Sequence, residues 1–271
     1  SPWTAGSRGF VPARPRLRTI QDRVRATTAF PDTAGVEAVT SSSIQGAPSI
    51  FRGWCAQPYL AISKDEGASW ARIQVAGNGM PRSHDILAQF EHGAAVAVDA
   101  EGNVYYFWTA RNRLPYLAIS RDGGRSFSKP MMVGPPGLKE AWGPAIAVGD
   151  TGKIALAYVG STTAPGGRAP DGVGPEYDYL VTWNGYITTS VDALSTNPQF
   201  FTTSVNRRSD PIMRGECGIF SCGVQVDFIE VVIGPDGVPW ASMVDGCPPR
   251  KERCDSFAGF VGTVAGGPTL R

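Results

Sequence analysis

The sequence predicts an all-β repeat protein built from successive antiparallel hairpins. The hexapeptide Pro-Tyr-Leu-Ala-Ile-Ser occurs twice, at Pro58–Ser63 and Pro115–Ser120, 57 residues apart, and each copy runs into one shared pattern, Ser-x-Asp-x-Gly-x-Ser-aromatic. Self-similarity at such a spacing marks repeat architectures. A second unit, apolar strand, tight Asp/Gly turn, apolar strand, recurs at 95–105, 145–155 and 230–240, which is how hairpins read in sequence. No stretch carries helical periodicity.

The residue types of the first repeat have physical tasks. The copies are Ser63-Lys64-Asp65-Glu66-Gly67-Ala68-Ser69-Trp70 and Ser120-Arg121-Asp122-Gly123-Gly124-Arg125-Ser126-Phe127. Asp65 and Asp122 fall where a strand ends, so their carboxylates are placed to accept backbone N–H groups of their own turn. Gly67 and Gly124 can take positive φ. Trp70 and Phe127 are expected to bury against the sheet as the next strand begins.

This pattern resembles the Asp-box, the hairpin signature of sialidases and related β-propellers. The resemblance implies a propeller of four-stranded blades, joined in their outer halves by Asp-box hairpins. It also implies that Ser63, Asp65, Gly67, Trp70, Ser120, Asp122, Gly124 and Phe127 hold turns on the rim, away from a central site. The interleaved Asp/Gly hairpins then look like the inner two strands of each blade. Ser190-Val191-Asp192 up to Phe200 looks like a degenerate copy of the box. Asn184-Gly185, between Tyr179–Trp183 and Tyr186–Ser190, predicts a further two-residue hairpin. About four blades are expected, near residues 36–90, 91–140, 141–210 and 222–266. Residues 1–35 form no blade; Arg8, Arg14, Arg16, Arg18, Arg23 and Arg25 stand there against Asp22 and Asp32, so a basic extended arm is expected, solvated or gripping an acidic partner. Propellers have four to eight blades. The chain is therefore either a small closed propeller or the C-terminal part of a larger one. Ser at position 1 and the lack of a signal peptide suit a processed product or fragment.

Composition narrows the classes. Net charge is +1, so no bulk field recruits nucleic acid. No apolar run approaches the ~20 residues of a membrane-spanning helix. Five cysteines are present. Cys217 with Cys222 and Cys247 with Cys254 read as two short disulfides, with a zinc site as the alternative that their wide spacing disfavours. Disulfides imply an oxidising compartment, so a secreted or cell-surface protein is expected. Cys55 then has its partner in a missing segment or another subunit, or packs as a free thiol.

A second likeness covers roughly residues 50–268. Asp210–Cys217, Val226–Val231, Trp240–Cys247 and the closing Gly259–Pro268 resemble the C-terminal part of secreted bacterial and archaeal sialidase-family proteins. A sialidase site needs an arginine clamp on the sialate carboxylate and a Tyr–Glu nucleophile pair. The family's first Arg lies in a Phe/Tyr-Arg-Ile/Leu-Pro motif. Phe51-Arg52-Gly53-Trp54 lacks its ending, and Pro15-Arg16-Leu17-Arg18 fits no better. What remains are Tyr177 and Glu176, with Arg111 and Arg214 as cations, beside Arg113, Arg207 and Arg208. His84, His92 and Glu91 offer a metal reading, but packing or capping is the expectation for them. Trp108, Trp142 and Trp183 read as core, with stacking on a sugar face as the alternative. No cofactor and no metal are expected.

The sequence thus favours an extracellular sialidase-like propeller that binds glycan or protein and is not catalytic as this chain. An exo-sialidase and a structural subunit of a cell-surface assembly, contacting a neighbour through the basic arm and Cys55, remain the alternatives. Non-reducing peptide mapping is expected to link Cys217 to Cys222 and Cys247 to Cys254. Recovery of four free thiols or bound zinc would contradict that pairing.

Overall fold

The computed structural model describes residues 36–40, 58–76, 94–110, 112–163, 182–207, 209–214, 229–246 and 258–271, and every regular element among them is a β-strand. A first sheet joins β1 (Val36–Thr40), β2 (Pro58–Ile62) and β3 (Ala71–Gln74). The second runs β4 (Ala94–Val98), β5 (Val104–Thr109), β6 (Pro115–Ser120) and β7 (Met131–Met132) in chain order. The third orders β8 (Glu140–Val148), β9 (Ile154–Ser161), β10 (Thr182–Ser190) and β11 (Phe201–Ser204) the same way, with β12 (Met213–Arg214) also pairing β10. The fourth joins β13 (Glu230–Ile233), β14 (Pro239–Asp245) and β15 (Ala258–Thr263). All pairings are antiparallel.

Alternation along the strands explains how the sheets stack. In β5, Val104, Tyr106 and Trp108 point to one face and Tyr105 and Phe107 to the other, and all are buried. The first set packs with Leu60 and Ile62 of β2, between the first and second sheets. The second set packs with Leu156 and Tyr158 of β9, between the second and third sheets. Trp142, Ala157 and Trp183 of the third sheet meet Val231, Ala241 and Met243 of the fourth. Strands buried on both faces read as continuous apolar runs because each sheet is sandwiched. The stack therefore follows chain order. The leading strands β4, β8 and β13 of three successive sheets stand side by side, with β1 against β4.

Direct bonds between sheets supplement this packing. The buried Tyr105 hydroxyl donates to Asp99 Oδ2 at 2.8 Å and accepts the Gly152 amide at 3.1 Å, joining the β4–β5 turn to the β8–β9 turn. Asp99 itself takes the amides of Glu101 and Asn103, at 3.0 and 2.9 Å. The Arg121 guanidinium donates to the Leu194 carbonyl of the third sheet. The C-terminal residues lie between the third and fourth sheets. Asp150 donates its amide to the Leu270 carbonyl at 2.9 Å, Leu270 donates to Gly237 at 2.9 Å, and the Leu270 side chain is fully buried.

Two expectations are corrected. Asn184-Gly185 is not a hairpin: both residues lie inside the continuous strand β10, opposite Gly160 and Val159 of β9. A two-residue primed turn of this kind needs positive φ at both positions, and neither has it. Gly185 is needed for space instead, since a Cβ there would overlap Met243 Sδ and lie 2.7 Å from Val205 Cγ2. Trp70 is not buried: it is 47% exposed, and its indole N–H donates to the Gly67 carbonyl at 3.1 Å, so the ring covers its own turn. Phe127 does pack, in the cluster between the first and second sheets, 6.3 Å from Tyr106 of its own sheet in an edge-on contact.

Gly149 has no room for a side chain, because a Cβ would overlap the Leu270 carbonyl oxygen, a backbone atom. Gly149→Ala is expected to displace residues 266–271 from the seam and to destabilise the protein by about 1–3 kcal/mol. Denaturant unfolding checks the size, and faster hydrogen exchange at the Leu270 amide checks the place.

Candidate functional site

Strand direction divides the sheets into two ends. At one end lie the β4–β5, β8–β9 and β13–β14 turns together with the segments carrying Asp65, Asp122 and Asp192. In the first of these segments Ser63 Oγ donates to Asp65 Oδ1 at 2.8 Å and accepts the Gly67 amide at 2.7 Å. The Asp65 carboxylate takes the Ser69 amide at 2.8 Å and the Ser69 hydroxyl at 2.5 Å. The second segment repeats every bond: Ser120 to Asp122 at 2.6 Å, Gly124 amide to Ser120 at 2.8 Å, and Ser126 amide and hydroxyl to Asp122 at 2.9 and 2.5 Å. Gly67 and Gly124 both have positive φ, at 92° and 84°. The third segment keeps the core of the arrangement, with Ser190 donating to Asp192 at 3.0 Å and the Gln199 amide reaching Asp192 at 2.9 Å.

These bonds favour the ionised carboxylates. The Ser69 hydroxyl is foremost in holding Asp65 below its ordinary pKa, the Ser120 hydroxyl in holding Asp122 well below it, and the Gln199 amide in holding Asp192 down. Burial pushes the phenols of Tyr105, Tyr106 and Tyr158 far above their ordinary value. This end is occupied by its own hydrogen bonding.

The opposite end is built from longer connections. β5 and β6 are joined there through residues 110–114, β9 stops at Ser161 and β10 starts at Thr182. Arg113 sits in the first connection with φ 62°, a left-handed conformation costly for a residue with a side chain. Its amide bonds Ala110 at 2.8 Å and its carbonyl accepts Ala141 at 2.7 Å, which ties the connection to β8. Its guanidinium pairs with Glu140 Oε1, and both residues are buried. Breaking a buried pair of this kind leaves an uncompensated charge, so the pair fixes the second and third sheets together. Nearby, Asn206 accepts the Gly185 amide at 2.8 Å and donates to Asn184 Oδ1 at 2.9 Å and to the Asp210 carbonyl at 2.9 Å. Thr163 receives the Thr182 amide at 2.8 Å. Arg207 is exposed at this end.

Of the sequence candidates, Arg214 lies on β12, where its backbone pairs with Thr182. Tyr177, Glu176, Arg111 and Arg208 lie outside the described residues, as do His84, His92, Glu91 and all five cysteines, Cys55, Cys217, Cys222, Cys247 and Cys254. The basic arm, residues 1–35, lies outside them too. Trp108, Trp142 and Trp183 are core residues, no more than 6% exposed. Among the described residues no group of three His, Cys, Asp or Glu side chains is placed to hold a metal ion. Sequence reasoning counted Arg113 among loose cations and missed Glu140 altogether. The only signal was an acidic residue directly ahead of the apolar run Ala141–Trp142.

No protein-family model and no curated protein matches the chain. Solved structures do. A Dyadobacter fermentans protein of unknown function is 15% identical, covering 77% of this chain and 46% of its own, with a TM-score of 0.43. The intramolecular trans-sialidase of Ruminococcus gnavus is 13% identical over 76% of this chain and 37% of its own, with a TM-score of 0.37. An α-L-arabinanase of Penicillium chrysogenum is 11% identical over 69% and 51%, with a TM-score of 0.37. The chain thus spans less than half the length of the first two.

The depressed carboxylates carry a pH dependence with a definite sign. A folded pKa below the unfolded one contributes stability that is complete above the unfolded value and is lost as pH falls toward the folded one. The unfolded value for Asp is about 3.9. The stability difference between the parent protein and Asp122→Asn is therefore expected to be constant near neutrality and to shrink below about pH 4. Thermal unfolding of both proteins across that range measures it, and a difference that grows on acidification would contradict the assignment.

Proposed function

We infer that the chain is a sialidase-like β-propeller module of an extracellular protein, its sheets acting as blades, and that it binds glycan or protein at the end where β5 passes to β6 and β9 to β10. One observation carries this reading: Arg113, in a left-handed backbone conformation that Glu66 of the turn end shares, is clamped to Glu140 in a buried pair at that end, while the opposite end is closed by its own turn bonds. Strain kept in a connection between rigid strands is characteristic of functional positions. The stacking of antiparallel sheets in chain order, with leading strands side by side, supports the propeller architecture. The exo-sialidase reading rests on Tyr177, Glu176, Arg111 and Arg214. The absent Arg-Ile/Leu-Pro element weighs against it, as does the pairing of Arg113 with a carboxylate of its own chain, which engages one available cation.

Purified protein is expected to bind members of a panel of sialylated and neutral glycans saturably and to leave a fluorogenic sialoside intact. Arg207→Ala, at the connection end, is expected to weaken that binding several-fold, whereas Lys153→Ala, at the turn end, leaves it unchanged. Sialoside turnover abolished by Tyr177→Phe would replace this reading with the glycosidase one. Equal effects of the two alanine variants would remove the site from the connection end.

A further inference from the structure

Among the described residues two buried side-chain polar atoms have no hydrogen-bond partner, Thr109 Oγ1 and Trp142 Nε1, in residues 7% and 6% exposed. A buried polar group left unpaired is costly, and natural proteins keep few of them. Both of these lie at the connection end. Thr109 is the last residue of β5, and Trp142 is the third residue of β8. They flank the Arg113–Glu140 pair, since the 110–114 connection leaves β5 at Thr109 and Glu140 stands two residues before Trp142. Regular pairing of β8 with β9 breaks off directly after Trp142, at a bulge between Trp142 and Ala145 where Gly143 has a φ of 67°. Bulges of this kind re-aim side chains and are frequent beside binding sites.

Strand alternation sets the two atoms in neighbouring seams. Thr109 follows Tyr105 and Phe107 on the face of β5 turned to the third sheet. Trp142 faces the fourth sheet, and Glu140, two residues earlier on β8, shares that face. The Arg113 connection therefore starts from Thr109 in one seam and reaches Glu140 in the next. Stacked sheets lie about 10 Å apart, which is wider than a single sugar ring. The two unpaired groups are neutral: an indole N–H that only donates and a hydroxyl that donates or accepts. The ion pair between them carries no net charge, so as a unit it does not attract an incoming carboxylate.

We propose that Thr109 and Trp142 are hydrogen-bonding groups of the glycan site at the connection end, and that this site takes an uncharged stretch of at least two sugar units laid across the start of β8. The inference rests on the glycan reading of this end and narrows its ligand class. Sugar hydroxyl and ring oxygens accept from the indole N–H, and a sugar hydroxyl exchanges a bond with Thr109 Oγ1. Both protein atoms are closed over before a ligand arrives, so the 110–114 connection moves aside as it enters. That connection lies outside the strands, where local opening costs least.

Titration with neutral disaccharides, their sialylated derivatives and the component single sugars tests the class. The neutral disaccharides are expected to bind at least as tightly as the sialylated forms, and the single sugars several-fold more weakly. Thr109→Val keeps the side chain's shape and removes its hydroxyl. It is expected to leave the thermal midpoint no lower than that of the parent and to weaken neutral-disaccharide binding at least several-fold. Trp142→Phe is expected to weaken it likewise. If Trp142→Phe does not fold, the indole N–H resonance of Trp142 decides in its place, with a downfield shift expected on adding the disaccharide and an unmoved signal counting against the proposal. A lowered midpoint for Thr109→Val overturns the proposal without any glycan being present, because the hydroxyl then has a partner, such as ordered water, in the unliganded protein. Binding confined to the sialylated forms overturns it too. So does affinity unchanged in both variants, an outcome that leaves the glycan reading of the connection end standing. A parent protein that binds no glycan removes that reading and this inference with it.

Discussion

A β-sheet with apolar side chains on both faces has to be covered on both faces, and this requirement organises the molecule. β5 and β9 are buried along their whole length, so neither sheet can stand at an outer surface. Each must have a neighbour in front and behind. Stacking in chain order meets that need without one sheet having to cross over another. It also confines the chain's reversals to two rims, since every strand runs from one to the other. What differs between the rims is how the reversal is stabilised.

At the turn rim the Ser–Asp reversals are built locally, beside the bonds that Tyr105, Arg121 and Asp150 make to other parts of the stack. A serine and an aspartate two residues apart satisfy the backbone groups of one short segment, with no help from another sheet. Such a device works wherever it is placed, which explains its repetition in the first, second and, in reduced form, third sheet. At the connection rim stabilisation is long-range. Arg113 and Glu140 are 27 positions apart, and Asn206 reaches back to Asn184 across β10 and β11.

The same distinction governs what was legible in the sequence. The strands that flank Asp65 and Asp122 and the hairpin turns at Asp99, Asp150 and Asp236 were readable, because each depends on residues close together in the chain. Asn184-Gly185 misled for an instructive reason. Its local preference for a turn was overridden by tertiary space: the glycine is required by Met243 and Val205, which no local window contains. Trp70 misled because its sequence context equals that of Phe127, whereas its burial depends on the sheet beyond it. Glu140 was invisible because a lone acidic residue ahead of a strand has no meaning until the fold brings Arg113 to it.

Tyr105 has a consequence of another kind. Its hydroxyl is bound on one side to a carboxylate of its own sheet and on the other to the Gly152 amide of the next, in a setting closed to solvent. The Gly152 proton cannot be exchanged with water unless that phenol withdraws, and the phenol cannot withdraw while the two sheets keep their spacing. This single amide is therefore a gauge of the seam. Its exchange rate reports how often the second and third sheets part, separately from the fraying of either sheet.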